Sequence, residues 1–422
     1  MLPLAAAVLL IARLPLLEAI SSAPHHSLIS SEIAELYKQT GMEVKAPVST
    51  DAEDVAMQPE NQSGRVHVPF YTYPSVFALV TCSVLFIYGH RGFAVVLSVM
   101  IYLMALSTMK LSVKWVFVKY AFGFPKFVTS LHFLCSGLVC FALNLSKRSR
   151  QGAAPIVVPT SSEFAFMILP IAVATSISIG ADNMALRLTS VAFAEIFGST
   201  TCVFTALIVL LMGLPFDKWL FAPILVVATG CALSTAGELH ASVPGILLMS
   251  TANAFRAIKA SLQQKLMTGE TKERFDPSTL LMWFSVPSTI LMATSSLVFD
   301  GAEPIRQMAA LDSETFRGLC LAIGASCLNA VVLNLSQLFV TKSLGAVGAQ
   351  LVGQAKAVLT VLGGVALFGD SVTTMEIVGF AQVLGGVYAY STMETNMRLA
   401  REAKAQAAMS VLGGKAVQAE KV

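Results

Sequence analysis

The sequence predicts an all-α polytopic membrane protein: a ten-helix core of two inverted five-helix repeats, preceded by an extra N-terminal transmembrane helix. Three observations carry this. Only 13% of the 422 residues are charged and 55% are hydrophobic, whereas soluble chains carry about 25% charged residues. Uncharged runs of the length a bilayer requires, roughly 20 residues, recur along the chain. Two stretches, LMGLPFDKWLFAPILVVATG and LFGDSVTTMEIVGFAQVLGG, each set a pair of glycines seventeen apart at a helix junction: Gly213 with Gly230, and Gly369 with Gly386.

Residues 1–23 are apolar around a lone Arg13 and end near ISSA, the pattern of a signal-like leader. Residues 24–69 are polar and expected to be disordered, with the sequon Asn61-Gln62-Ser63 offering a glycosylation site at Asn61. Residues 70–91 follow as an accessory transmembrane helix ending in His90-Arg91. The alternative for this region is a membrane-surface or disordered leader. The first five-helix repeat, 93–237, contains runs at 92–109, 127–146, 164–181, 196–216 and 219–237. The second, 241–393, contains runs at 242–267, 277–299, 318–341, 344–368 and 377–393, and a tail occupies 394–422. Repeats of five helices are inverted, because five is odd, and such repeats bind substrate at their interface near the bilayer midplane. Lysine and arginine concentrate in the loops after the even-numbered helices and in the tail, among them Lys147, Arg148, Lys265, Lys342, Arg398 and Arg401. That asymmetry makes those loops and the tail cytosolic.

Several function classes fall away. A net charge of +3 is too small to imply nucleic acid, and the seven cysteines lie scattered in apolar runs without a CxxC or Cys/His pairing. Neither metal-ligand spacing, nor a nucleophile beside its base, nor a Gly-rich phosphate loop after a strand is present, so the reading is neither an enzyme nor a cofactor protein.

The polar residues inside the spans are the informative ones. At 1.5 Å per residue Arg256 lies roughly 20 Å inside its helix and Lys356 roughly 18 Å inside its own, near mid-bilayer. A cation there costs about 2.5–3.5 kcal/mol on the mildest scale, so each must face protein or water. Asn253, Arg256, Lys259 and Gln263 broadly share one helical face, as do Gly353, Lys356 and Thr360, while Asn334 and Gln337 lie three apart on another helix. Half-buried donors and cations converging from several helices describe a pocket for a polyanion, phosphate above all. The competing reading pairs each cation with a buried acid. Glu195 is the acid placed to do so, and one acid cannot neutralise Arg256, Lys259 and Lys356 together. His132 reads as hydrogen-bonded core, and the sequons at Asn144 and Asn334 lie in or against the membrane.

These residues also carry a resemblance. VKWVFVKYAFGFPKFVTSLHFLCSG resembles the NKW…FP…LH opening of the triose-phosphate and nucleotide-sugar translocators of the drug/metabolite transporter superfamily. TSVAFAEIFGSTTCVFTALIVLLMG, NAFRAIKASLQQKLM and NLSQLFVTKSLGAVGAQLVGQAKAVLTVLGGVALFGDSVT are similar to later segments of that family, so the likeness covers about residues 93–393. Gly198 stands where plastid phosphate translocators carry a fourth-helix lysine, and Lys356-Ala357 where they carry Lys-Arg. Both departures resemble the Lys-Val/Ala/Gly group, which includes Golgi nucleotide-sugar transporters. Cys202 replaces a usual proline, and no Asn precedes Lys114.

The resemblance implies an antiporter exchanging a cytosolic nucleotide-sugar for a lumenal nucleoside monophosphate, in the Golgi or endoplasmic reticulum membrane. Arg256, Lys259 and Lys356 would hold phosphates, Asn334 and Gln337 sugar or base. Glu195 would orient a cation or read a hydroxyl, and Asn253 and Lys114 complete the substrate-binding set. The partners implied are this anionic small molecule and the lipid bilayer, with a homodimer left open. The alternatives are a plastid-type sugar-phosphate/phosphate exchanger and a non-transporting membrane scaffold.

Overall fold

The computed structural model describes residues 65–66, 81–82, 84–151, 156–185, 188–189, 197–234, 243–268, 275–355 and 372–419. They are almost wholly helical, and each helix begins and ends where local chemistry demands. After a 3-10 turn at Gly89–Arg91, Gly92 takes φ 94°, a conformation that a β-carbon opposes, and α1 (Phe93–Tyr120) starts. Ala121 closes it in the left-handed region at φ 48°, and Pro125 opens α2 (Pro125–Gln151). Thr160 and Glu163 form a reciprocal capping box ahead of a π-helical turn, Phe164–Ile168, which runs into α3 (Leu169–Ala185). Next come α4 (Thr201–Leu211), α5 (Phe221–Ser234) and α6 (Val243–Thr268). The Asp276 carboxylate accepts the Thr279 N–H to start α7 (Pro277–Asp300), where Pro277 has no donor to leave unpaired. A short helix, α8 (Glu303–Ala310), leads to α9 (Ser313–Gln354), capped by Asp312. The last helix, α10, spans Thr374–Ala419.

Four described helices are long and apolar enough to cross a membrane: Pro125–Ser149, Ser161–Asp182, Pro277–Asp300 and Ser313–Gln354. Shorter apolar helices occupy Phe93–Met109, Phe197–Leu211 and Lys218–Leu233. Large apolar side chains face outward along them, with Leu211 82% and Phe166 76% exposed. Lipid is the environment that suits such a surface. Three boundaries differ from the sequence reading. The break between the eighth and ninth expected helices falls at Gly345 (φ 74°, ψ 171°) instead of the residue pair 342–343. The eight-residue α8 lies between two expected spans. And α10 continues unbroken through the polar tail, about 69 Å at 1.5 Å per residue, more than twice a hydrocarbon core.

The principal packing partners are α2 with α7, α5 with α10, α1 with α9, and α3 with α6. Where α5 meets α10, two glycines admit close approach. A β-carbon at Gly230 would lie 2.9 Å from Val383 N and 3.0 Å from Gly379 O. One at Gly386 would lie 2.7 Å from Val227 Cγ2 and 3.2 Å from Pro223 O. These contacts are reciprocal: Gly230 and Gly386, Val227 and Val383, and Pro223 and Gly379 are each 156 positions apart.

The segment ahead of α1 is stitched to the last helix. Val84, Ile87 and Tyr88 are buried in one core cluster with α1, α5, α9 and α10 residues. Phe86 stacks on Tyr388, His90 bonds Thr395 at 3.2 Å, and Arg91 forms an ion pair with Glu394. At the other end of the same helix, Arg65–Val66 pairs antiparallel with Val372–Thr373.

Candidate functional site

Helix α6 packs against α3, α4 and α9, so its polar residues meet other helices. Asn253 is fully buried, and its amide is completely used. Its Nδ2 donates to Phe197 O (2.8 Å) and Thr200 Oγ1 (3.1 Å), and its Oδ1 accepts from Thr201 Oγ1 (2.8 Å) and Arg256 Nη1 (3.1 Å). Asn253 therefore fastens α6 to the start of α4. One turn on, Arg256 places Nη1 also against Thr201 Oγ1 at 3.3 Å, while Nη2 donates to the Asp182 carboxylate in an ion pair. The pair is not sealed: the Arg256 side chain is 31% exposed and that of Asp182 28%. Arg256 sits at the midpoint of the 26-residue α6, and a charge left partly exposed there calls for water or a polar solute rather than lipid as its neighbour.

Lys259 is half-buried one turn beyond Arg256 and pairs with no acid among the described residues. Gln263 is buried, and its Oε1 has no hydrogen-bond partner among the described residues. Its neighbour Gln264 accepts the Ala346 N–H at 2.7 Å. That donor is one of the orphan amides at the start of the second leg of α9, just past the Gly345 bend, so α6 caps a helix across the interface. Further along this leg a β-carbon at Gly353 would lie 3.0 Å from the buried Tyr102 hydroxyl of α1. Helix α1 thus approaches α9 closely at Gly353.

Asn334 and Gln337 are half-buried on the first leg of α9 and make no hydrogen bond among the described residues. Lys114 lies on α1, its side chain outside the described residues, as are Glu195, Lys356 and Asn61. His132 bonds Ser326 at 3.0 Å and ties α2 to α9, as the core reading expects. The structure therefore brings Asn253, Arg256, Lys259 and Gln263 together on α6. It adds two residues that sequence reasoning missed. Asp182 lies one residue past the apolar run at 164–181, where a hydropathy reading stops looking. Gln264 carries no charge and no motif signal.

Comparison with known proteins adds independent findings. Residues 93–391 match the family model described as Triose-phosphate Transporter family. Solute carrier family 35 member E4 of Rattus norvegicus is 30% identical over 71% of this chain and 81% of its own. A protein of Arabidopsis thaliana named as a probable sugar phosphate/phosphate translocator is 27% identical over 66% of this chain and 88% of its own. UDP-uronic acid transporter 1 of the same plant is 25% identical over 68% and 90%. A solved crystal structure shares the fold, with a TM-score of 0.54 at 16% identity, over 72% of this chain and 98% of that one.

Proposed function

The chain belongs to the Triose-phosphate Transporter family, and on that premise we propose that it exchanges a nucleotide-sugar for a nucleoside monophosphate by alternating access. The observation that carries this is the cationic face of α6. Arg256 and Lys259 stand one turn apart at mid-helix, partly exposed, with a single described acid, Asp182, against Arg256. Two cations and one carboxylate leave a net positive site, and a phosphate-bearing solute supplies the missing charge. Asn334 and Gln337, without protein partners among the described residues, are the groups for sugar or base; Lys356, Glu195 and Lys114 belong to the same proposed set.

Two inverted five-helix repeats supply the moving parts in this reading. The helix packing supports it: exchanging each helix with its counterpart maps α2–α7 and α5–α10 onto themselves, and α1–α9 onto α6–α3. The reciprocal contacts at Gly230 and Gly386 obey the same exchange. Relatives named for UDP-sugars and for sugar phosphates are both similar to this chain. Gly198, at the position where phosphate translocators carry a fourth-helix lysine, favours the nucleotide-sugar, and a Golgi or endoplasmic reticulum membrane follows from that substrate.

Reconstitution into vesicles preloaded with uridine or guanosine monophosphate, or with inorganic phosphate, tests the reading. Uptake of nucleotide-sugar driven by internal nucleoside monophosphate is the expected result. Robust triose-phosphate/phosphate exchange would reverse the substrate assignment, and no exchange of any kind would leave a scaffold.

A further inference from the structure

Asp182 was no part of the expected site, yet it is the acid that reaches Arg256 among the described residues. Its carboxylate ties α3 to α6, the helix that Asn253 and Thr201 already tie to α4. An end-on bidentate phosphate requires both terminal nitrogens of a guanidinium. Nη1 is shared between two neutral oxygens, and Nη2 is taken by the carboxylate. A phosphate taking both terminal nitrogens of the fork competes with Asp182 for Nη2, since two anions on one guanidinium nitrogen repel.

We propose that Asp182 is the resident counter-ion of the site and the residue that makes exchange obligatory, a proposal resting on the anion-exchange reading above. In the empty carrier the carboxylate neutralises Arg256, which would otherwise be an unpaired, partly buried charge among mainly apolar helices. The same contact cross-links α3 to α6, one helix from each of the two five-helix repeats whose relative motion the exchange reading requires. Arriving phosphate takes over the guanidinium, frees Asp182 and releases the cross-link, so the loaded carrier switches. When product leaves, the carboxylate returns and the empty carrier is held. Substrate binding and permission to move are thereby one event, and Asp182 is a positioning residue acting through Arg256.

The test uses vesicles loaded with labelled uridine monophosphate, or in parallel guanosine monophosphate. Efflux is compared into buffer with the same unlabelled nucleotide and into buffer without it. Wild-type protein releases label far faster with external nucleotide. Asp182→Asn is expected to raise nucleotide-free efflux toward the exchange rate, and to lower the external KM about tenfold, the low end of what a close charge pair is worth. Asp182→Glu should restore the wild-type ratio. A purely structural tie predicts otherwise: exchange and net efflux fall together in Asp182→Asn, KM is unchanged, and Arg256→Gln repairs the lowered melting temperature. That pattern overturns the proposal, as does failure of both Asp182→Asn and Asp182→Ser to insert. A wild-type protein inactive with every nucleotide and with phosphate overturns the functional reading and this proposal with it. An active wild type with a fully coupled Asp182→Asn overturns this proposal alone.

Discussion

Polar residues on one helix face divide by whether protein or ligand satisfies them, and hydrogen-bond accounting makes the division. Asn253 meets Phe197, Thr200, Thr201 and Arg256, whereas Asn334 meets nothing among the described residues. Asn253→Leu should therefore lower stability by about 1–3 kcal/mol, since it strands buried partners. Asn334→Ala should leave the thermal melt unchanged and raise the KM for exchange; equal melting shifts would refute the distinction. Sequence spacing could place both asparagines on helices but could not make this division, because partners such as Thr201 lie 52 positions away. The counter-ion shows the same blindness: Asp182, which supplies the observed pair with Arg256, was not among the expected residues, and Glu195, the acid of the competing reading, lies outside the described ones. Asp276, outside the membrane, permits a pH prediction. Burial alone would raise its carboxyl, but hydrogen bonds from Thr279, Lys147 and Ser278 outweigh that and hold it at about 2, below its usual 3.8. A depressed folded value means stability present above pH ~4 and lost as pH falls toward 2. With Lys147 and Asp276 each about half exposed, screening reduces the contribution to ~1 kcal/mol. Asp276→Asn should melt lower than wild type at pH 7, with the gap closing below pH 3; a gap independent of pH would remove the carboxylate from the account.

Among elements, the four described helices long enough to cross a membrane were legible because each contains an uncharged run of sufficient length, a property of sequence alone. What was not legible follows from features that hydropathy does not weigh. Lys342 marked the expected break before the ninth helix, yet a lysine can remain helical, and the bend came at Gly345, whose φ of 74° a glycine reaches without strain. Helix α8 is only eight residues long. The polar part of α10 has helix formers such as Ala, Glu, Lys and Arg but no apolar run to announce it. Gly230 and Gly386, the second members of the two spaced glycine pairs, are where α5 and α10 touch, while Gly369 lies outside the described residues. Because the obstructing atoms are backbone nitrogens and oxygens as well as Val227 Cγ2, neither helix can yield cheaply. Gly230→Ala and Gly386→Ala should each cost about 1–3 kcal/mol from overpacking, partly offset by up to ~1 kcal/mol of helix propensity. Gly385→Ala, with open space around it, should be neutral or slightly stabilising. Melting temperatures of the three variants check this: the first two should fall by similar amounts, as reciprocal contacts require, and a drop in only one would break the pseudo-symmetry.

At the scale of the whole molecule, α10 serves as a ruler for the N-terminal segment. Arg65–Val66 pairs with Val372–Thr373 where that helix begins, and Arg91 pairs with Glu394 further along it. Thr374 to Glu394 is about 30 Å of helix, the thickness of a hydrocarbon core. Two points on the chain, at 66 and 91, therefore lie at opposite ends of the same membrane-length stretch, and the 25 steps between them are enough for one helical crossing. A surface-bound leader would bring both points to one side. Assigning the cytosolic face to the lysine- and arginine-rich loops predicts that Arg91 and Glu394 are cytosolic, and that Thr373 and the sequon at Asn61 are lumenal. The expected outcome is a glycan on Asn61: an electrophoretic shift removed both by endoglycosidase and by Asn61→Gln. Protease added to sealed vesicles from the cytosolic side should spare an epitope placed within residues 30–60 and digest one placed after 400. Digestion of the first epitope in sealed vesicles would return the N-terminal segment to the cytosolic face and detach Arg65 from the lumenal end of α10.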